Sequence, residues 1–396
     1  MAVMMLPAMR TVAVLSLIAF LTTGLSAQST RVEAIAQDQA EKAKELGTEG
    51  PSRGEQIVRR VLLSPLLSGG DGLYPWFGTV FSGTGMAFGV GYQKHLQNAA
   101  YVNVQTGYSI NGSMTARATI MAPKLIYDLV QVDASAEWID AHGVSFYGSG
   151  PDSSVDQRTR YDYKPLEIGG TATVRPGRYL YVTGGYSFLD INTSLDVPRF
   201  RPAEMPGIDR ALTFQVARAT MAFDWRTSPG YSTRGGLYRA TVERHYESGG
   251  RPFSFLTKEF EVVQLVPLLR EQFVLAGRGL VTLAESDSGH EVPVMLAPYL
   301  GGGSTLRGFA NRRFSDRSRV LLTGEYRWRP SRYLDMALFL DAGQVAPSQH
   351  DFDFSTFETA WGLGARFHGP NFNALRIDVA RGREGVRFVF SGSQAF

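Results

Sequence analysis

From residue 76 to the end of the chain, apolar and polar positions alternate with a period of two, the spacing of strands whose two faces meet different surroundings. In VLLTGEYRW, Val320, Leu322, Tyr326 and Trp328 fall on one face and Thr323, Glu325 and Arg327 on the other. In MALFLDAG, Ala337, Phe339 and Asp341 oppose Met336, Leu338 and Leu340; in LRIDVARG, Arg376, Asp378 and Ala380 oppose Leu375, Ile377 and Val379. Stretches of about 9 to 15 such residues, separated by clusters of Gly, Pro, Asp, Asn and Ser, have the length a tilted strand needs to cross a bilayer. The pattern predicts sixteen strands, at 76–82, 84–94, 99–110, 113–121, 129–138, 161–175, 179–193, 211–225, 237–248, 253–268, 273–285, 319–329, 333–346, 356–369, 374–382 and 386–392. An even number returns both ends of the chain to one side.

A soluble sandwich also alternates, but it turns its apolar face inward and its charged face to water. Here the long strands and the Tyr or Trp at their ends (Tyr179, Trp225, Trp328, Tyr333) favour an apolar face on lipid, bordered by an aromatic girdle. The expected fold class is all-β, a transmembrane antiparallel β-barrel over 76–396 with a short helical N-terminal segment. Closure also pairs the backbone groups that lipid cannot solvate. Ahead of the barrel, residues up to Arg10, the apolar run TVAVLSLIAFL and the small residues TTGLSA read as a signal peptide over 1–27. Residues 28–75 read as a helical periplasmic lead-in, with RVEAIAQDQAEKAKELG stopping at Gly47.

Composition removes several chemistries. The chain of 396 residues has no cysteine, which excludes disulfides, zinc thiolates, cysteine nucleophiles and a lipid anchor on a mature N-terminal cysteine. Its net charge is only +3 and its basic residues are interleaved with acids, so nucleic acid is not an expected partner. The six histidines (His95, His142, His245, His290, His350, His368) are scattered without metal-ligand spacing, and no G-x-S-x-G elbow occurs. Asp152, Asp156 and Asp162 lack the spacing of a calcium loop and read as a rim turn. Inward acids such as Glu243, Glu325 and Asp341 are matched by inward Arg218, Arg239, Arg327 and Arg376, which favours structural ion pairs over an acid/base couple. The expectation is therefore a protein that is not an enzyme and needs no cofactor or metal.

One stretch asks for its own explanation: GGGSTLRGFANRRF, residues 301–314. Three glycines before a Ser-Thr pair suggest a phosphate cradle, but a period-two strand follows instead of a helix. GGGSTLRGF, then FSDRSRVLLTGEYRW and MALFLDAGQV, and earlier AFDWRTSPGYSTRGG, resemble in order and spacing the BamA-like bacterial surface antigen superfamily of outer-membrane proteins, over roughly Tyr74 to Phe396. The most specific element is the Arg307-Gly308-Phe309 triplet. A second motif is Asp224, Arg226, Pro229, Arg234 and Gly235, supported by Asp341 and Gly343 on a later strand. The resemblance implies that loop 286–318 folds back into the lumen and that Arg307 pairs there with an acid of the wall, Asp341 first and Glu325 second. Alternation independently turns both acids inward. The glycines would let the loop turn within a confined space.

The chain's end, VRFVFSGSQAF, turns Val386, Phe388 and Phe390 outward, loosens at Gly392 and finishes on Phe396, resembling the C-terminal signal that barrel assembly machinery reads. The sequence before the barrel is too short and too helical for a POTRA domain, so the chain resembles the short branch of the superfamily. The resemblance implies residence in the outer membrane of a Gram-negative-type bacterium, with outer-membrane lipids and, during biogenesis, the assembly machinery as partners. It further implies protein or lipid insertion or translocation, by way of a plugged lumen and a weak seam between first and last strands. The alternative is a passive pore for small solutes, favoured by the charged lumen.

Overall fold

The computed structural model describes Gly70 to Phe396 apart from residues 127–128, 196–203, 229, 270, 332, 370–372 and 393–395. The segment expected to be a signal peptide, 1–27, and nearly all of the expected helical lead-in lie outside the described residues. Eleven strands follow in order: β1 (Gly72–Gly78), β2 (Ala87–His95), β3 (Tyr101–Ser109), β4 (Met114–Leu125), β5 (Val130–Phe146), β6 (Thr159–Val174), β7 (Leu180–Leu195), β8 (Leu212–Asp224), β9 (Gly235–Glu247), β10 (Phe255–Leu268) and β11 (Phe273–Ser286). A long loop then carries the two-residue strands β12 (Tyr299–Leu300) and β13 (Phe314–Ser315). It leads to β14 (Ser318–Ser331), β15 (Leu334–Ala346), β16 (Glu358–His368), β17 (Asn373–Gly382) and β18 (Gly385–Ser391). All but β12 and β13 form one 16-stranded sheet in sequence order, every neighbour antiparallel. The fold is an all-β, nearly closed barrel.

Alternation sorts the two faces. Leu338, Leu340, Trp361, Leu363 and Phe388 are exposed on the outside, while Ala337, Phe339, Asp341, Arg376 and Asp378 are buried within. A barrel that buries arginines and aspartates and exposes leucines is inverted relative to a soluble protein, as lipid on the outer face requires.

Two segments depart from the sequence pattern. β1 begins at Gly72, not 76, and ends at Gly78. Pro75, which reads as a breaker, lies inside it, and a terminal strand tolerates a missing N–H because one of its edges carries no ladder. The strand is set in place by its inward aromatics: the rings of Tyr74 and Trp76 occupy the space where side chains at Gly91 and Gly107 would stand. The second departure is β5, which continues to Phe146 where the pattern predicts a strand of 129–138. A register shift between Ala141 and Val144, with Gly143 at φ 68°, lets the strand bulge and carry on. Asp162 Oδ1 accepts the Gly143 N–H at 3.0 Å and so holds the bulge.

The lumen is filled in layers. The leg of the long loop around residues 292–297 packs with β5–β8 and β10 in an apolar cluster that includes Phe146, Tyr161, Phe214, Phe255, Val294 and Met295. Its other leg packs Leu300, Leu306, Phe309 and Phe314 against Leu280, Leu321, Val345 and Ala360. Near the end where β1 begins and β18 finishes, a smaller cluster of Ala222, Leu237, Val263, Leu265, Val274 and Ala276 lines the inner wall.

Candidate functional site: the lumenal loop and the seam

The long loop runs from Ser286 to Ser318 and enters the barrel. Gly301 and Gly302 adopt φ of 106° and 101°, and a Cβ on Gly301 would stand 2.1 Å from the Ala310 carbonyl oxygen. Only glycine permits that turn without strain. Gly308 serves a different purpose. A Cβ there would stand 2.6 Å from the backbone N of Gly382 and 2.8 Å from the Ala360 Cβ, so its absence lets the loop lie directly against β16 and β17. Phe309 is thereby seated edge-on to Phe314, with ring centroids 5.2 Å apart.

Arg307 is 1% exposed. Its Nε and Nη2 donate to the two Asp341 oxygens at 2.8 and 2.7 Å, a bidentate fork, and its backbone N–H donates to Asp341 Oδ2 at 3.2 Å. Nη1 donates to Glu325 Oε1 at 2.6 Å and lies 3.4 Å from Asp378 Oδ2. The guanidinium is also stacked on Phe339, 3.4 Å from the ring centroid. Planarity and five donors are what allow one arginine to hold three carboxylates and a ring together.

Around this hub the wall supplies further charge. Glu325 accepts Arg327 Nε at 2.7 Å and Arg366 Nη2 at 2.9 Å; Arg366 and Arg376 approach Asp378 at 3.4 and 3.3 Å. Arg376 Nη2 donates to the loop carbonyl of Gly303 at 2.6 Å. Four guanidiniums thus meet three carboxylates in a nearly dry space, and among the described residues Arg327 Nη2 and Arg376 Nη1 have no hydrogen-bond partner. A second anchor ties the loop to the last hairpin: Arg313 donates through Nε to Glu384 at 2.7 Å, and through Nη1 and Nη2 to the Ser153 hydroxyl and carbonyl at 2.8 and 2.6 Å.

Sequence reasoning missed Asp378, Arg366, Arg312 and Arg313 as members of the plug. Asp378 and Arg366 carried a usable signal, their inward position on alternating strands. Nothing local distinguishes Arg312 or Arg313 from solvated loop residues. Arg312 is buried beside Tyr299, its guanidinium 4.2 Å from the ring centroid, and donates to the carbonyl of Val294.

The second motif is not brought to the lumenal loop. Asp224 and Arg226 form a fork of their own at 2.9 and 2.8 Å in the turn between β8 and β9, where the hydrogen bonds to Asp224 raise the Arg226 pKa. Gly235, at φ 105°, lets that turn close, since a Cβ there would stand 2.5 Å from the Trp225 carbonyl oxygen. Arg234 is exposed and lies 3.6 Å from Glu271 Oε1. Pro229 lies outside the described residues. The same turn sends Tyr231 to β15 and β16, beyond β10, β11 and β14 in the strand order, where its hydroxyl donates to Asp335 Oδ2 at 2.5 Å and its ring stacks on His368 at 3.8 Å. Burial and the adjacent Asp335 carboxylate push the Tyr231 phenol above its ordinary pKa. This motif therefore shapes the barrel end at which β18 finishes.

At the chain's end, Phe388 and Phe390 are exposed on the outer face, β18 stops at Ser391, and Gly392 follows as a bend. Phe396 does not continue that outward row. Its ring packs with Tyr181 on the lumenal cluster of Val263, Leu265 and Val274, and the Arg327 guanidinium lies 5.1 Å from the ring centroid. An aromatic with no lipid-facing strand position left finds apolar contact inside the barrel instead.

The seam is the other distinctive feature. β1 and β18 are the shortest strands of the barrel sheet, seven residues each, against 17 in β5. They are the two ends of the strand order, and among the described residues no pairing joins them.

Residues 100–396 match the Omp85 superfamily domain. Among solved structures, the chain is similar to BamA from Haemophilus ducreyi lacking POTRA domains 1-3, with a TM-score of 0.61 at 14% identity, over 81% of this chain and 69% of that one. It is also similar to CdiB from Acinetobacter baumannii (TM-score 0.52, 13% identity, 81% of this chain) and to CdiB from Escherichia coli (TM-score 0.54, 15% identity, 80% of this chain). The matches span 58% and 61% of those CdiB chains. No curated protein sequence matches the chain. The family match covers well over half of the sequence, and the chain belongs to the Omp85 superfamily.

Proposed function

We propose that this protein is a non-enzymatic outer-membrane barrel that inserts or translocates polypeptide or lipid by opening between β1 and β18. The observation that carries this reading is the sheet's strand order, which runs from β1 to β18 without a ladder between its ends. Each ladder hydrogen bond contributes roughly 0.5–1.5 kcal/mol, so a boundary of few bonds is the cheapest place for a barrel to part. The lumenal plug supports the same reading from the other side. A loop clamped by Arg307 and Arg313 closes the interior to bulk flow, which leaves the wall as the path for cargo.

Depletion of the protein in its own host should change the complement of outer-membrane proteins or expose phospholipid at the cell surface. Quantitative envelope proteomics and lipid labelling measure this, and an unchanged envelope would sink the proposal. A planar-bilayer recording addresses the alternative of a passive pore. The plugged lumen leads us to expect small, flickering events, whereas a large, steady, ion-selective current would favour the pore.

A further inference from the structure

At the end of the barrel where β18 finishes, three arginines at or near the turns have an acid beside them. Arg226 is held by Asp224, Arg234 lies 3.6 Å from Glu271, and Arg329 lies 3.3 Å from Asp335. The turn between β6 and β7 differs. Its sequence, RPGRY, contains no acid. Arg175 donates through Nη2 to the neutral amide oxygen of Gln131 at 3.0 Å. Arg178 is exposed, and among the described residues its guanidinium has only the ring of Tyr179 beside it, 5.2 Å from the centroid.

Tyr179 opens a row of aromatics on the outer face. It meets Phe223 edge-on at a centroid distance of 5.9 Å, and Phe223 stacks on Tyr238 at 6.4 Å. Trp225 stands on the same side: a Cβ on Gly236 would lie 2.9 Å from its Nε1, and Gly236 shares its face of β9 with Tyr238. All four rings are 39–43% exposed. Towards the middle of the barrel, Val182 and Met221, paired across β7 and β8, continue the outer face as exposed apolar positions. Tyrosine and tryptophan in such a place mark the boundary between hydrocarbon and head groups. β8 and β9 are the eighth and ninth of the sixteen strands and lie opposite the seam.

A guanidinium without an acid, at the head of an aromatic and apolar strip, complements a phosphate at the head of an acyl chain. A zwitterionic head group would bring an ammonium as well. The carboxylates of the two nearest turns are already engaged, Asp224 by Arg226 and Glu271 by Thr233 and Arg234. We infer that this patch binds an anionic phospholipid, with its phosphate on Arg178 and an acyl chain along Phe223, Met221 and Val182. A head group held opposite β1 and β18 gives the parting edges a fixed wall to move against. That use rests on the function proposed above, whereas the binding does not.

Native mass spectrometry of the full-length protein in a neutral maltoside detergent tests this, with equimolar phosphatidylglycerol and phosphatidylcholine of the same acyl chains. Phosphatidylglycerol should be retained about fivefold more tightly, the factor that one basic residue at a membrane surface contributes. Arg178→Gln should bring the ratio close to one. Lys258→Gln, at a cation paired with Glu285 near the other end of the barrel, should keep the wild-type preference. Excess inorganic phosphate should not displace the lipid, because it cannot use the apolar strip. Equal retention of the two lipids by the wild type, or an undiminished preference in Arg178→Gln, would overturn the inference. So would displacement of the lipid by inorganic phosphate or by an acidic peptide, either of which would give the patch a different occupant. The comparison of the two lipids needs only the wild-type protein, so a variant that fails to fold does not remove the test.

Discussion

Arg307→Ala is expected to release the lumenal loop while leaving the barrel folded. Asp341 is at 0% exposure, and among the described residues its carboxylate is held by Arg307 alone. Removing one partner of a fully buried pair typically costs about 3 to 5 kcal/mol, because the other charge is stranded. The stacking of the guanidinium on Phe339 is lost as well, worth about 2 kcal/mol when desolvated. Limited proteolysis should show new cuts between Gly301 and Arg317. Asp341→Ala should be damaging for a different reason. Arg307 would keep Glu325 and Asp378, but four guanidiniums would then share two carboxylates. The double variant should be less damaged than the sum of the singles, since neither member of the fork is stranded. Strict additivity, or a wild-type loop already open to protease, would mean that the fork does not hold the plug.

A covalent lock across the seam should abolish the activity in the host, and a reducing agent should restore it. The chain has no native cysteine, so a pair can be introduced without background. One cysteine belongs on β1, which ends at Gly78, at Trp76 or Phe77. The other belongs on β18, scanned from Val386 to Phe390. Antiparallel closure brings the last residues of β1 beside the first of β18, so crosslinking should peak near Val386. Failure of every pair to crosslink would mean that β1 and β18 are not neighbours in the membrane. A locked protein that still supports the wild-type envelope would rule out lateral opening. Arg313, which ties the loop to Glu384 in the last hairpin, makes the two experiments related: a freed loop should also make the seam easier to part.

Several features were legible in the sequence because they are local. A period of two fixes which side chains share a face, whatever the strand pairs with, so the number of strands and the inward positions of Glu325, Asp341 and Arg376 follow from alternation alone. The glycines at 301 and 302 announce a turn that other residues resist, for the same local reason. Other features depended on what the folded barrel brings together. Pro75 breaks a strand in most settings and is admitted here only because β1 is terminal. The extension of β5 past His142 depends on Asp162 from β6 reaching the Gly143 amide. Asp378 and Arg366 become part of the hub because β14 to β17 pair side by side in a curved sheet whose inner faces converge, a neighbourhood set by strand pairing and absent from any short window of sequence. Phe396, Arg312 and Tyr231 lie in segments without a repeating pattern. Their places were decided by the packing available to them, the inner wall for Phe396, Tyr299 for Arg312 and the His368 ring for Tyr231, and tertiary contact alone supplies that choice.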